Sequence, residues 1–146
     1  MTQKANAWRI LWPWLLTLAI YAVIYWFSAQ PSEISNIQSA AVRDWIGFPE
    51  WATTLVRKIA HVLLYVGLGA AACLAWLRCG RGDDGVRRAI LRAVVLCAAL
   101  AALDEFHQYF VPGRAALISD VILDTVSAAL GAACLVKIAK QHTKNR

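Results

Sequence analysis

Four long, mostly apolar runs constrain this chain more than any other feature of its sequence. They lie at about residues 10–27, 55–77, 89–110 and 117–139. A helix of about 20 apolar residues crosses the hydrocarbon core of a bilayer. The 146 residues are 60% hydrophobic and only 16% charged, whereas soluble domains are about a quarter charged. We therefore predict an all-α fold, a four-helix transmembrane bundle in one domain over residues 1–146, and exclude a soluble enzyme.

The segment between the first two runs is more polar and predicts a short amphipathic helix. Ile34, Ile37, Ala41 and Trp45 recur at helical spacing between a proline and a glycine, Pro31–Gly47. An apolar stripe of this kind either rests on the membrane surface or covers the bundle. The sequence leaves these two alternatives open.

The distribution of basic residues predicts the orientation in the membrane. Eleven of the 15 Lys and Arg residues fall in the N-terminal segment, in the region between the second and third runs, and in the C-terminal tail. The positive-inside rule places these three segments in the cytoplasm. Both termini are then cytoplasmic and the amphipathic helix is extracytoplasmic. The net charge of +6 is explained in this way, and no nucleic-acid partner is predicted.

A set of charged and polar side chains interrupts the last three runs, and all of its members lie in the same half. They are Lys58 and His61 in the second run, Asp104, Glu105, His107 and Gln108 in the third, and Asp120 and Asp124 in the fourth, with Arg114 in the last connecting turn. At about 1.5 Å per residue, His61, Asp104 and Asp124 lie roughly 10 Å below the outer membrane boundary. Charges inside membrane spans are costly and mark functional sites, so we predict one outward-facing polar site.

Helical spacing predicts which of these side chains share a helix face. The sets are Lys58, His61 and Tyr65 in the second run, Asp104 and Gln108 in the third, and Asp120, Asp124, Ser127 and Gly131 in the fourth. The carboxylates outnumber the cations, and such a cluster needs a proton, a metal ion or a cationic ligand group. The alternative is a structural network that Lys58 and Arg114 neutralise. The sequence identifies no cofactor and leaves metal content open.

Ordered motifs along most of the chain resemble the VanZ-like membrane proteins. These motifs are Phe27-Ser28-Ala29-Gln30-Pro31, then Arg57-Lys58-Ile59-Ala60-His61 followed by Tyr65, then the block from Asp104 to Arg114 (DEFHQYFVPGR), and finally Asp120. Together they cover residues from about 20 to 135. The chain departs from the family pattern in the last run, where Asp124 replaces the usual Asn and Ser127 the usual Gly, while Gly131 is retained. The resemblance implies a multi-pass bacterial inner-membrane protein of a family associated with glycopeptide (teicoplanin) resistance.

The preferred hypothesis is a site that binds or modifies an amphiphilic envelope molecule, either a lipid-linked cell-wall precursor or a phospholipid. Arg114 and Lys58 would hold its anionic group, and Pro31 would shape the loop above it. The predicted proton-handling residues are His61, Asp104, Glu105 and Asp120. The predicted ligand-binding residues are Ser28, Gln30, Pro31, Lys58, Tyr65, Gln108, Arg114 and Asp124. Whether a reaction is catalysed is left open.

Two other functions remain alternatives at this point. One is a non-catalytic accessory or scaffold protein whose polar cluster is structural. The other is a small transporter or flippase, which needs a polar route through both halves of the membrane. The small, apolar cytoplasmic halves of the runs, where glycines and alanines favour close helix packing, argue against such a route within one chain.

Overall fold

The computed structural model describes residues 2–79 and 85–144, and in this part of the chain all regular structure is helical. The helices are α1 (Thr2–Ser28), α2 (Ser32–Ile46), a 3-10 turn (Glu50–Ala52), α3 (Thr53–Cys79), α4 (Gly85–Gln108) and α5 (Ile118–Lys144). The all-α prediction is confirmed. Each predicted apolar run falls on one long helix, and the predicted amphipathic segment is α2. Residues 80–84, in the predicted basic loop, lie outside the described residues.

Three of the long helices are long and apolar enough to cross a membrane. They are Ala7–Ser28, Glu50–Cys79 and Ile118–His142. The helix α4 is not among them, although its 24 residues would extend about 36 Å. Its sequence holds Arg87, Arg88 and Arg92 near one end and Asp104 and Glu105 near the other, which limits its apolar stretch. The third of the four predicted spans is therefore present as a helix, α4. Its crossing of the membrane remains a prediction.

The long helices alternate in direction, with α3 packed against α1, α4 and α5. Contacts between Ser28 and Asp104 and between Lys58 and Asp120 bring four helix termini together. These are the end of α1, the start of α3, the end of α4 and the start of α5. We call this region, marked by those four residues, the site end. At the opposite end, Trp14 of α1 packs edge-on against Trp76 of α3 with ring centroids 5.1 Å apart.

Helices α3 and α5 approach each other closely at two glycines. A Cβ atom on Gly69 would collide with the backbone of Ala128, and one on Gly131 would collide with the backbone of Val66. Small residues such as these allow helix backbones to come into contact in a membrane. The predicted face that carries Asp124, Ser127 and Gly131 is buried against this interface.

The short helix α2 packs against α3 through its serines. Ser35 and Ser39 are buried, whereas Ile37 is 69% exposed and Trp45 is 88% exposed. The helix ends at Gly47, whose φ of 80° is the left-handed conformation common after a helix. The apolar stripe therefore faces away from the other helices, and of the two predicted alternatives it does not cover the bundle.

Candidate functional site

A buried cluster of Ser28, Asp104 and Gln108 joins the ends of α1 and α4. The Ser28 hydroxyl donates a hydrogen bond to Asp104 Oδ2 at 2.7 Å. The Gln108 amide donates to the same oxygen at 2.9 Å and to Glu105 Oε1 at 3.1 Å. Asp104 is only 1% exposed, and among the described residues its Oδ1 atom has no hydrogen-bond partner. Helical spacing accounts for the geometry, because Asp104 and Gln108 lie one turn apart on the same face.

Arg114 connects the turn after α4 to the end of α1. Its Nη1 donates to Gln108 Oε1 at 3.2 Å, its Nε to the Gln30 carbonyl at 3.0 Å, and its Nη2 to the Phe27 carbonyl at 2.9 Å. Carbonyl groups at a helix C-terminus lack partners inside the helix and attract cations. Burial lowers the pKa of Arg114 from its ordinary value, and the positive charge of Arg57 lowers it further. The positively charged guanidinium groups of Arg57 and Arg114 therefore lie close enough to repel each other.

The turn that carries Arg114 requires a glycine. Gly113 has a φ of +72°, and a Cβ atom there would collide with the Ser32 hydroxyl. The backbone N–H of Ser32 donates to the Pro112 carbonyl at 3.2 Å. The turn is thus held against the first residue of α2, and this contact fixes the position of Arg114.

Glu105 links α4 to the start of α5. Its Oε2 accepts a hydrogen bond at 2.8 Å from the backbone N–H of Leu117, the residue before α5 begins. The first N–H groups of a helix have no partner inside the helix, and a carboxylate there is also favoured by the helix dipole. Glu105 of α4 therefore supplies the hydrogen-bond acceptor that a backbone N–H at the start of α5 lacks within its own helix.

A cavity of about 280 Å³ opens at the site end between α3, α5 and the turn after α4. Its ionisable lining residues are Arg57, Lys58, His61, Glu105, Arg114, Asp120 and Asp124. Lys58 Nζ pairs with Asp120 Oδ1 at 2.7 Å. His61 Nδ1 lies 3.8 Å from Asp124 Oδ2, so the Asp124 carboxylate faces the imidazole. Cations and carboxylates from α3, α4, α5 and the turn after α4 thus meet in one space.

Seven of the twelve predicted site residues line this cavity. They are Lys58, His61, Glu105, Gln108, Arg114, Asp120 and Asp124. Ser28 and Asp104 lie in the buried cluster behind it. Tyr65 is completely buried, with its ring centroid 6.5 Å from that of His61.

The remaining two predicted residues contribute backbone geometry at this site. Gln30 contacts Arg114 through its carbonyl oxygen, while its side chain donates back to Trp26 at 3.4 Å. Pro31 directly precedes α2. The functional roles assigned to all twelve residues stay predictions.

Sequence reasoning missed Arg57, which lines the cavity beside Lys58. Its Nη1 lies 3.4 Å from Asn36 Oδ1 of α2. Helical spacing contained the signal, because Arg57 and His61 are four residues apart and so share a face.

As for metals, no group of three or more His, Cys, Asp or Glu side chains within residues 2–79 and 85–144 is placed to hold an ion.

The apolar helices and the charged cavity at the site end are those of an α-helical membrane protein. A sequence model of the VanZ/LLP1 family matches residues 13–140, and the chain belongs to that family. The resemblance predicted from the motifs is thereby confirmed. No curated protein and no solved structure matches the chain.

Proposed function

We propose that this protein binds the anionic head group of an amphiphilic envelope molecule in the cavity at the site end. One observation carries the proposal. Arg57 and Arg114 both face the cavity, and within the described part of the chain neither has a carboxylate at ion-pair distance. A guanidinium group binds phosphate or carboxylate with two parallel hydrogen bonds. An anionic ligand would supply the ionic partner that these two side chains lack.

The carboxylates of the site are engaged elsewhere, which supports an anion rather than a cation as the ligand. Asp120 pairs with Lys58, Glu105 accepts from the Leu117 backbone, and Asp104 accepts from Ser28 and Gln108. These three carboxylates therefore have partners and Asp124 lies 3.8 Å from His61, whereas Arg57 and Arg114 lack an ionic partner among the described residues. At the cavity three permanent cations, Arg57, Lys58 and Arg114, face three carboxylates, Glu105, Asp120 and Asp124, so the acidic excess predicted from the sequence is absent there once Arg57 is included.

An amphiphile is the class of ligand that this position favours. The cavity lies beside the ends of helices that are able to cross a membrane, where lipid head groups are found. In this proposal α4 is the third of four spans of a bacterial inner-membrane protein, both termini are cytoplasmic, and the site end faces outward. A lipid-linked cell-wall precursor or a phospholipid would present its phosphate at this depth. Sequestering or altering a precursor would then change glycopeptide susceptibility.

Proton transfer at the bound ligand is an extension of the same proposal. His61, Glu105 and Asp120 line the cavity, and residues of these types serve as general acids and bases when they reach the reacting group. Asp104 lies behind the cavity and would act through Gln108. If no reaction occurs, the protein is a binding component.

A structural or accessory role has its own supporting observation. The cluster of Ser28, Asp104 and Gln108 is buried and hydrogen-bonded across two helices, as expected of a group that stabilises the fold. A transporter is less well supported, because the buried residues toward the other end are small and apolar, such as Ala72, Cys97 and Ala132.

Lipid titration of the purified protein tests the proposed function. Phosphatidylglycerol and phosphatidylcholine are added to the protein in mild detergent, and bound lipids are counted by native mass spectrometry. We expect the anionic lipid to be preferred. We expect Arg57→Gln to weaken its binding roughly 10- to 100-fold, the range expected for a lost hydrogen bond to a charged group. Polyprenyl phosphate, tested in parallel, distinguishes a lipid-linked precursor from a phospholipid.

Arg43→Gln is the matched control, because Arg43 pairs with Asp44 on α2 and does not line the cavity. It should bind like the wild type. Equal binding by Arg57→Gln, Arg43→Gln and the wild type would contradict an anion site at Arg57. Lack of any preference for anionic lipid would contradict the proposal as a whole.

A further inference from the structure

A second cavity, of about 180 Å³, lies between α2 and α3 next to the first. Its walls are mostly apolar, and Phe27, Val42, Val56, Ala60 and Leu64 contribute to them. We call this space the α2–α3 groove. The charged cavity described above does not account for it.

The two cavities meet at the same side chains. Arg57, His61 and Arg114 line both of them, so these three residues form the boundary between the charged space and the apolar one. A molecule with its anionic group at Arg57 and Arg114 can therefore extend a hydrocarbon chain into the groove without crossing the protein backbone. Adjacent polar and apolar compartments of this kind match the chemistry of a lipid.

The groove is open toward the surface that would contact lipid. Ala60 is exposed on α3 and Phe27 is 44% exposed at the end of α1, and both helices are able to cross a membrane. On the other side the groove is bounded by α2, whose apolar stripe faces away from the bundle. A hydrocarbon chain would thus enter sideways from the bilayer, below α2.

We propose that the α2–α3 groove holds the first methylenes of a hydrocarbon chain of the same lipid whose phosphate binds at Arg57 and Arg114. This inference rests on the proposed function and narrows it, because the protein would recognise the hydrocarbon chain of the lipid as well as its head group. The ligand is then a lipid of the surrounding bilayer, and a free phosphate compound binds weakly.

A homologous series of ligands tests the groove. Glycerol 3-phosphate and butyl, hexyl and octyl phosphate are titrated onto the protein in phosphatidylcholine nanodiscs, with empty nanodiscs subtracted. Burial of one methylene corresponds to about a fourfold gain in affinity. We expect the affinity for the wild type to rise with chain length by about this factor until the groove is filled.

Ala60→Phe fills the groove, and Ala102→Phe is its matched control because Ala102 is exposed on α4 away from both cavities. The ratio of octyl phosphate affinity to glycerol 3-phosphate affinity should fall at least tenfold in Ala60→Phe and stay at the wild-type value in Ala102→Phe. Partition of the octyl chain into the nanodisc lipid contributes equally to this ratio in every variant, so the comparison between variants removes that contribution. If Ala60→Phe does not fold, Val42→Trp blocks the groove from α2.

The outcomes separate this inference from the proposed function. One outcome is that glycerol 3-phosphate binding depends on Arg57 while the ratio of octyl phosphate to glycerol 3-phosphate affinity is the same in all variants. That outcome overturns the α2–α3 groove as a hydrocarbon site and leaves the head-group site intact. Failure of every probe to bind overturns both.

Discussion

Asp104 shows most clearly how one residue serves the fold and the site together. Both of its hydrogen-bond donors, Ser28 and Gln108, reach the same carboxylate oxygen. Gln108 then accepts from Arg114 at the edge of the cavity. The carboxylate therefore orients the amide that orients the guanidinium, and Asp104 influences a ligand without lining its cavity.

Replacement of Asp104 should affect stability according to the number of acceptors that remain. Asp104→Ala leaves the Ser28 hydroxyl and the Gln108 amide without their buried acceptor, which costs about 1–3 kcal/mol. Asp104→Asn keeps one carbonyl oxygen and should cost less. Thermal unfolding in detergent measures both, with Asp44→Ala as the control because the Asp44 side chain is 65% exposed. An unfolding temperature unchanged in Asp104→Ala would show that the cluster does not hold α1 to α4.

For individual residues, the sequence predicted which side chains come together better than it predicted which of them line the cavity. Polar side chains within apolar runs have to find a common interior, so His61, Asp104 and Asp124 could be grouped from spacing alone. Arg57 was missed because the face through Lys58, His61 and Tyr65 and the face through Arg57 and His61 fit helical geometry equally well. His61 lies between the two basic residues, and the cavity uses both.

Among the helices, the contact between α3 and α5 is the one most sensitive to added volume. Gly69→Ala and Gly131→Ala each push a methyl group into the facing backbone, and overpacking of this kind costs about 1–3 kcal/mol. Gly67→Ala is the matched control, since its Cβ would lie at an ordinary distance of 3.8 Å from Ile20 Cδ1.

We expect lower unfolding temperatures for Gly69→Ala and Gly131→Ala, and a value equal to or above the wild type for Gly67→Ala, because alanine favours the helix. Scanning fluorimetry of the three variants makes the comparison. Equal unfolding temperatures would mean that the two helices separate at little cost.

The helix α2 illustrates what periodicity leaves undetermined. The spacing of Ile34, Ile37 and Trp45 predicted the helix and its apolar stripe, and the helix formed within a residue of the expected bounds. In a soluble protein the stripe would pack inward. Here the neighbouring medium is proposed to be lipid, which is as apolar as leucine, so the small serines pack against α3 and the stripe faces outward.

For the whole molecule, the proposed orientation predicts on which side of the membrane Cys79 and a thiol introduced on α2 lie. Native Cys79 ends α3 and is exposed, at the end away from the site. Asn36→Cys introduces an exposed thiol on α2, in a background where Cys73, Cys97 and Cys134 are replaced by alanine. An impermeant maleimide added to intact cells should label Asn36→Cys and leave Cys79 unlabelled until the cells are opened. Labelling of Cys79 in intact cells would invert the proposed topology.

The hydrogen bonds of α4 also bear on how the protein is made. α4 is the long helix whose charges exclude it from the apolar spans, and its carboxylates have partners on both sides in the chain. Ser28 is synthesised before α4, whereas the Leu117 N–H follows it. During synthesis the Ser28 hydroxyl is therefore already present when Asp104 is added to the chain, whereas the Leu117 N–H that bonds Glu105 is made later. The hydrogen bond that Glu105 accepts from Leu117 can thus form only after the turn that follows α4 has been synthesised, so α4 can be joined to α1 before it is joined to α5.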